Sequence, residues 1–398
     1  MLSFKLSQTV KTDPIDDDPD DYINQGNAKV KRGQYEKAIE DYNTAIKVEP
    51  HNAISYNNRG AAKAMLNQYD AALADYDFAI YLEPDYADAY YNRGYIKDEL
   101  ELYQSAIGDY DTVIQLKSNY TDAYINRGAA KVALRQYEEA IKDYDTAIRQ
   151  KPHHAIAYCS RGEAKAEQGQ YEEAIKDYDI AISLKIDFPE AYKKRGDAKL
   201  ELEQNEEAIV DYDSAIDYQP ENADVYYNRG RAKYLLTGMK KDAIEDYDIA
   251  IQLQPDYREA YARRAEAKAE QGQYEEAIVD YDVVIRLRAT YFAYEERAKV
   301  KVKIGQYESA IADYDVVVQL NPNWAWAYSD RGKAKAASGQ YKEAFADYGK
   351  AIKLNPDCIS AYLNRAEAKE ELGLHEAAKQ DKDKANHLFK TMLDRWKK

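Results

Sequence analysis

Residues 137–148 read YEEAIKDYDTAI, and nearly the same words return at 171–182 as YEEAIKDYDIAI and at 274–285 as YEEAIVDYDVVI. Within the first copy Tyr137, Ala140, Ile141, Tyr144, Ala147 and Ile148 recur at three- and four-residue spacing, the period of one helix face. Aligning the phrase gives one unit every 34 residues, roughly A-Y-x-N-R-G-x-A-K-x-x-x-G-Q-Y-E-E-A-I-x-D-Y-D-x-A-I-x-L-x-P. Units start at Pro19, Ala53, Ala87, Thr121, Ala155, Pro189, Ala223, Arg258, Tyr291, Ala325 and Ile359, eleven in all. A fixed period of this length signals an array of supersecondary units, each burying its apolar face on its neighbours.

Each unit reads as two helices. The first, such as Ala123 to Leu134, carries Tyr124, Gly128 and Val132 on one stripe; the second is the quoted phrase. Gly-Gln breaks the chain between them, and seven prolines (Pro50, Pro84, Pro152, Pro220, Pro255, Pro322, Pro356) follow the second helix. Two units change length, with one extra residue at LLTGMKKDA and one fewer at RLRATYFAY. Both changes fall where turns are expected, and there they cost little. The first helix holds Gly at one site in eight units and Ala at Ala265, Ala298 and Ala366. A mid-helix Gly costs about 1 kcal/mol relative to Ala, so a close approach of neighbouring helices is expected there.

A helix–turn–helix of this length, with Tyr124, Gly128, Ala130, Tyr137, Ala140, Tyr144, Ala147 and Pro152 at the signature positions, resembles the tetratricopeptide repeat family over residues 19–392. The resemblance implies an all-α, right-handed superhelical solenoid of antiparallel helix pairs, with ligands lying on a concave side lined by the first helices. This sequence departs from the family pattern systematically. Arg stands where Leu is common, as at Arg93, Arg127 and Arg161; Lys stands where an aromatic is common, from Lys29 to Lys369; and the second helix carries Asp at one site in every unit, from Asp41 to Asp381. A structural ladder is expected, with Asp75 facing Arg93, Asp109 facing Arg127 and Asp143 facing Arg161, each a two-point carboxylate–guanidinium pair between units.

The 398 residues carry 56 Lys plus Arg against 72 Asp plus Glu, a net charge of −16 that repels phosphate backbones. Single-stranded RNA binding by helical repeats is the least favoured function on that ground. Cys159 and Cys358 form no framework and read as reduced thiols. His153–His154 reads as a turn pair, so no metal or cofactor is expected, and no motif points to catalysis. No apolar run is long enough to span a membrane, and the start MLSFKLSQTV lacks a secretory core, which points to the cytoplasm. Residues 1–18 read as an acidic flexible leader, and 383–398 as a basic amphipathic capping helix overlapping the last unit. In that helix Ala385, Leu388, Phe389, Met392 and Trp396 share one stripe. Its other reading is a helix for a membrane surface or partner.

Function then rests on the first-helix lining. Asn58, Asn92, Asn126 and Asn228 recur at one lining site, and each amide offers a donor and an acceptor to an extended peptide backbone. Tyr91, Tyr95 and Ile125 line the early units; Lys193, Lys194, Tyr227, Arg231 and Arg263 form a mid-array cationic stretch. Lys193, Asn228 and Arg263 partly match the clamp with which some family members grip a C-terminal carboxylate, although Asp197 and Glu259 bring the opposite charge to its other positions. The expectation is a non-enzymatic scaffold for a protein or peptide partner, including an acidic or C-terminal segment. The alternative is a recognition or regulatory subunit acting with a separate enzyme. Oligomeric state and partner identity stay open.

Overall fold

The computed structural model describes residues 4–6 and 18–396, and the chain divides into two compact units, Met1–Glu203 and Gln204–Lys398. The described residues are all-helical. The first unit holds α1 (Pro19–Val30), α2 (Tyr35–Val48), α3 (Ala53–Met65), α4 (Tyr69–Leu82), α5 (Ala87–Glu99), α6 (Tyr103–Leu116), α7 (Thr121–Ala133), α8 (Tyr137–Gln150), α9 (Ala155–Glu167), α10 (Tyr171–Leu184) and α11 (Pro189–Glu201). The second holds α12 (Asn205–Tyr218), α13 (Ala223–Leu235), α14 (Lys240–Leu253), α15 (Arg258–Glu270), α16 (Tyr274–Leu287), α17 (Tyr291–Lys303), α18 (Tyr307–Leu320), α19 (Ala325–Ala337), α20 (Tyr341–Leu354), α21 (Ile359–Glu371) and α22 (His375–Trp396). Within each unit consecutive helices pack on one another.

The fourth repeat shows why these residues fold this way. At the end of α7, Arg135 takes a left-handed φ of 59°, which lets the Gln136 N–H reach back to the Lys131 carbonyl at 2.8 Å. That closing bond satisfies an otherwise orphan carbonyl and reverses the chain. Glu138 and Glu139 then occupy the first turn of α8 and Arg149 its last, each charge complementing the helix dipole. Ala140, Asp143, Tyr144 and Ala147 are its buried residues. Tyr144, Ala140 and Ala147 join Ile125 of α7 and Ala157 and Ala164 of α9 in one core cluster, which ties the repeat to the next.

The glycine site is a close approach, made to a ring. A Cβ on Gly128 would lie 2.7 Å from Tyr144 Cε1, and the same contact recurs between Gly162 and Tyr178 and between Gly332 and Tyr348. A second set of tyrosines serves the first helices. Each repeat's Arg stacks on the Tyr one turn earlier, with Arg127 5.4 Å from the Tyr124 ring centre and Arg161 5.4 Å from Tyr158. These two recurring roles, repeated along the array, place many of the 39 tyrosines.

The ladder has a different register from the expected one. Asp75 is bound by Arg59 of its own repeat, with Nε to Oδ2 at 2.9 Å and Nη2 to Oδ1 at 2.6 Å, and not by Arg93. Asp109 is likewise held by Arg93, and Asp143 by Arg127. The reason is geometric: each Arg and each Asp sits at the middle of its helix, and a short turn brings the midpoints of an antiparallel pair to one level. The Lys one turn beyond the Arg shares that face. It closes on the same carboxylate, as Lys63 does on Asp75 and Lys131 on Asp143, both at 2.7 Å. The link between repeats runs through the second aspartate. Asp77 lies two residues beyond Asp75, about 200° around the helix, and meets Arg93 Nη1 at 2.7 Å. Asp111 meets Arg127 and Asp145 meets Arg161 in the same way.

The length changes leave this network intact. Arg229 reaches Asp246 across 17 residues instead of 16, because the extra residue lies between α13 and α14. Arg297 reaches back 15 residues to Asp282, because the missing one lies between α16 and α17. At the end of the second unit, α22 runs without a break from the last repeat's second helix into the tail. Ala385 is buried and Leu388 half-buried, whereas Phe389 and Met392 are about half exposed, so the expected apolar stripe is covered only in part. The Trp396 side chain lies outside the described residues.

Candidate functional site

On the first helices of the first unit, asparagines form a buried chain of hydrogen bonds. Tyr42 Oη donates to Asn27 Oδ1 at 2.7 Å, and Asn58 Nδ2 donates to the same oxygen at 3.0 Å. Asn57 Nδ2 donates to Asn58 Oδ1 at 3.0 Å, and Asn92 Nδ2 donates to Asn57 Oδ1 at 2.9 Å. Each buried amide thereby has its orientation fixed by the next, which is the condition for a polar network to be stable away from water. Asn27 and Asn57 were not anticipated. Asn57 stands alone in a column that holds Tyr91, Ile125 and Cys159 in later repeats, and that departure was the available signal.

The chain of amides ends on a main-chain segment from the same molecule. The Lys5 N–H donates to Asn92 Oδ1 at 2.9 Å, and the Lys5 carbonyl accepts from Asn92 Nδ2 at 2.9 Å and Asn57 Nδ2 at 3.1 Å. Lys5 Nζ lies 2.6 Å from Asp122 Oδ2 and within 5.7 and 5.8 Å of the Tyr91 and Tyr120 ring centres. Phe4 packs on Ala64, Ala72, Tyr76 and Ile96, and meets Tyr95 edge to face at 5.5 Å. The reading of residues 1–18 as a flexible leader therefore does not describe Phe4 to Leu6; residues 7–17 lie outside the described residues. Burial opposes the charge on Asp122, but the Lys5 ammonium bonded to it and nearby Lys151 hold its carboxyl below the ordinary value of 3.8.

The other anticipated residues fall as follows. Asn58 is fully buried within the network, Tyr91 and Ile125 are nearly buried, and Tyr95 is half-buried against Phe4. Asn126 Nδ2 donates to Tyr91 Oη at 3.0 Å. Lys193 and Lys194 belong to the first unit, and acids surround them: Lys193 pairs with Asp197 at 2.8 Å, and Lys194 with Glu163 at 2.6 Å and Glu190 at 3.3 Å. Tyr227, Asn228, Arg231 and Arg263 belong to the second unit. Arg231 bonds Asn228 at 3.3 Å and lies over Tyr227, and Arg263 pairs with Glu266 at 2.9 Å. Beside them a cleft of about 300 Å³ is lined by Tyr227, Arg263, Phe292 and three glutamates, Glu259, Glu266 and Glu296. Of the expected mid-array cations, Lys193, Lys194 and Arg263 are paired with acids, and in the second unit three glutamates line the cleft beside Arg263. His154 caps α9 by accepting from the Ala157 N–H, which gives it a structural role. Burial pushes the Cys159 thiol up to about 12. No helix among the described residues is long and apolar enough to cross a membrane.

A TPR repeat family model matches residues 26–67, 64–98, 196–236, 298–338 and 332–373. Two further tetratricopeptide repeat models match 125–189 with 238–291, and 87–120. No curated protein matches significantly. Among solved structures, a tetratricopeptide repeat protein from Parabacteroides merdae is 23% identical with a TM-score of 0.45, over 65% of this chain and 98% of that one. MamA from Desulfovibrio magneticus RS-1 is 24% identical with a TM-score of 0.41, over 42% and 96%. Yeast Tom70 is 15% identical with a TM-score of 0.41, over 95% and 93%. The family models together take in most of the chain, at the same two-helix period that the structure displays, and the chain belongs to the tetratricopeptide repeat family.

Proposed function

We propose that the chain is a non-enzymatic interaction scaffold whose first unit binds an extended peptide segment of a protein partner along α3, α5 and α7. The observation that carries this reading is the Asn92 side chain, which donates to and accepts from the main chain of one residue, Lys5. Those bonds involve only the peptide backbone, so any extended segment can form them. A buried amide already oriented by Asn57 has less rotamer entropy left to lose when it binds. The acidic surroundings, Asp88 and Asp122 with the −16 net charge, favour a basic segment over an acidic one.

The test is to pan a random peptide display library against the full chain bearing Phe4→Ala and Lys5→Glu, with Asn57→Ala and Asn92→Ala added for counter-selection. The expected ligands bind the first protein and lose binding to the second, with helical circular dichroism retained in both. Ligands held equally by both proteins, or no ligands at all, would refute the reading.

A further inference from the structure

Two side chains beside the backbone clamp select what it takes. Phe4 lies over an apolar patch made by Ala64 and Ile96 from two first helices and Ala72 and Tyr76 from α4, with the Tyr95 ring edge closing one side. The next residue along, Lys5, places its ammonium on Asp122 beside the paired rings of Tyr91 and Tyr120, whose centres are 5.1 Å apart and lie 5.7 and 5.8 Å from the nitrogen. Tyr120 Oη donates in turn to Asp88 at 3.1 Å, which fixes the ring that the ammonium meets. An aromatic face and a carboxylate flanked by two tyrosine rings are therefore set one residue apart on either side of the main-chain clamp. A glutamate at the second position would bring its charge against Asp122 and lose both cation–π contacts.

We propose that this surface is a site for a partner segment in which an aromatic residue is followed directly by lysine. Phe4–Lys5 of the same chain is its stand-in, held in cis until such a segment displaces it. The proposal rests on the groove reading above and adds to it the identity of the two side chains and the competition with the chain's own Phe4–Lys5 segment. An attached segment competes at a fixed effective concentration, on the order of millimolar for short tethers. A free ligand then sees only the fraction of sites left open, and its apparent affinity falls by that fraction.

The experiment is fluorescence anisotropy with a labelled peptide of sequence MLSFKLSQTV, titrated with the full wild-type chain and with the full chain bearing Phe4→Ala and Lys5→Glu. The variant, whose own segment no longer fits, is expected to bind the peptide about tenfold or more tighter than wild type. Replacing the peptide's lysine by glutamate is expected to abolish that binding, and Asp122→Lys in a chain bearing Phe4→Ala and Lys5→Ala, whose own segment cannot re-form the pair, is expected to restore binding to the glutamate peptide. Equal affinity of wild type and variant would overturn the cis competition while leaving the groove reading standing. Equal binding of the lysine and glutamate peptides would overturn the side-chain selection. No binding of any peptide by the variant would bring down the site and, if the panning also fails, the groove reading with it. Light scattering is expected to show the wild type as a monomer; a dimer that the two substitutions dissociate would mean that a second copy supplies the segment, and would overturn docking in cis.

Discussion

The two aspartates of the repeated phrase are expected to differ sharply in what they contribute, although only one residue separates them. Asp143 is 4% exposed and accepts three charged hydrogen bonds, two from Arg127 and one from Lys131. Asp145 has a 39% exposed side chain and accepts one, from Arg161 of the next repeat. Removing one partner of a buried ion pair costs about 3–5 kcal/mol, because the remaining charge is left uncompensated. In Asp143→Asn the amide oxygen still accepts one bond, and Arg127 keeps Asp111, so the expected loss is near the lower end, about 3 kcal/mol. Exposed pairs contribute about 0–1 kcal/mol, so Asp145→Asn is expected to cost less than about 1 kcal/mol. Repeat arrays open locally, so the assay is native-state hydrogen exchange on amides of α7 and α8, which reads the opening free energy of this repeat. Equal losses for the two variants, or a loss below about 1 kcal/mol for Asp143→Asn, would refute the assignment of the repeat's main electrostatic tie to Asp143.

Three further substitutions test the packing and the turns. Gly128→Ala is expected to destabilise the fourth repeat by about 1–2 kcal/mol, because the new methyl meets the Tyr144 ring at 2.7 Å and overpacking outweighs the gain in helix propensity; thermal melting checks it. Arg135→Gly is expected to stabilise by about 0.5–1 kcal/mol, since Arg135 holds φ at 59° and glycine adopts that conformation without a Cβ clash; local hydrogen exchange across the α7–α8 turn reads it. Asp98 occupies the site held by Ala64 and Val132 in neighbouring repeats, and burial, reinforced by Glu99, raises its pKa from 3.8 to about 6. The folded state therefore holds a proton that the unfolded state releases, and stability should fall as pH rises from 3.8 to about 6. Solvent screening of this partly exposed group reduces the loss to about 1 kcal/mol. Asp98→Val should remove that slope and raise the melting temperature at neutral pH.

The period and the helix pair were legible because Tyr144, Ala140 and Ala147 repeat at helical spacing and Pro152 and the Gly-Gln turns punctuate them. The partner of Asp143 was not legible. Arg127 precedes it and Arg161 follows it, the same letters flank every copy, and only the level of each residue along an antiparallel pair separates the choices. The lysines were visible as a departure from the family pattern, but their convergence with Arg on one carboxylate needs the three-dimensional face. In the groove, the asparagine ladder at Asn58, Asn92 and Asn126 was visible as a column. Asn57 was not, because it breaks its own column. The docking of Phe4 and Lys5 left no trace in periodicity, since so short an extended segment has none; its side-chain contacts come from Tyr95 and Tyr120 of the third repeat and Asp122 of the fourth.

The most direct measurement is the exchange rate of the Lys5 main-chain amide in the full chain, followed by NMR beside the amides of α5. The account predicts exchange slowed well below that of an unstructured peptide, because Asn92 Oδ1 accepts that proton at 2.9 Å. It also predicts that Asn92→Ala removes the protection while the α5 amides keep theirs. Free exchange of Lys5 in the wild type, with α5 fully protected, would contradict it.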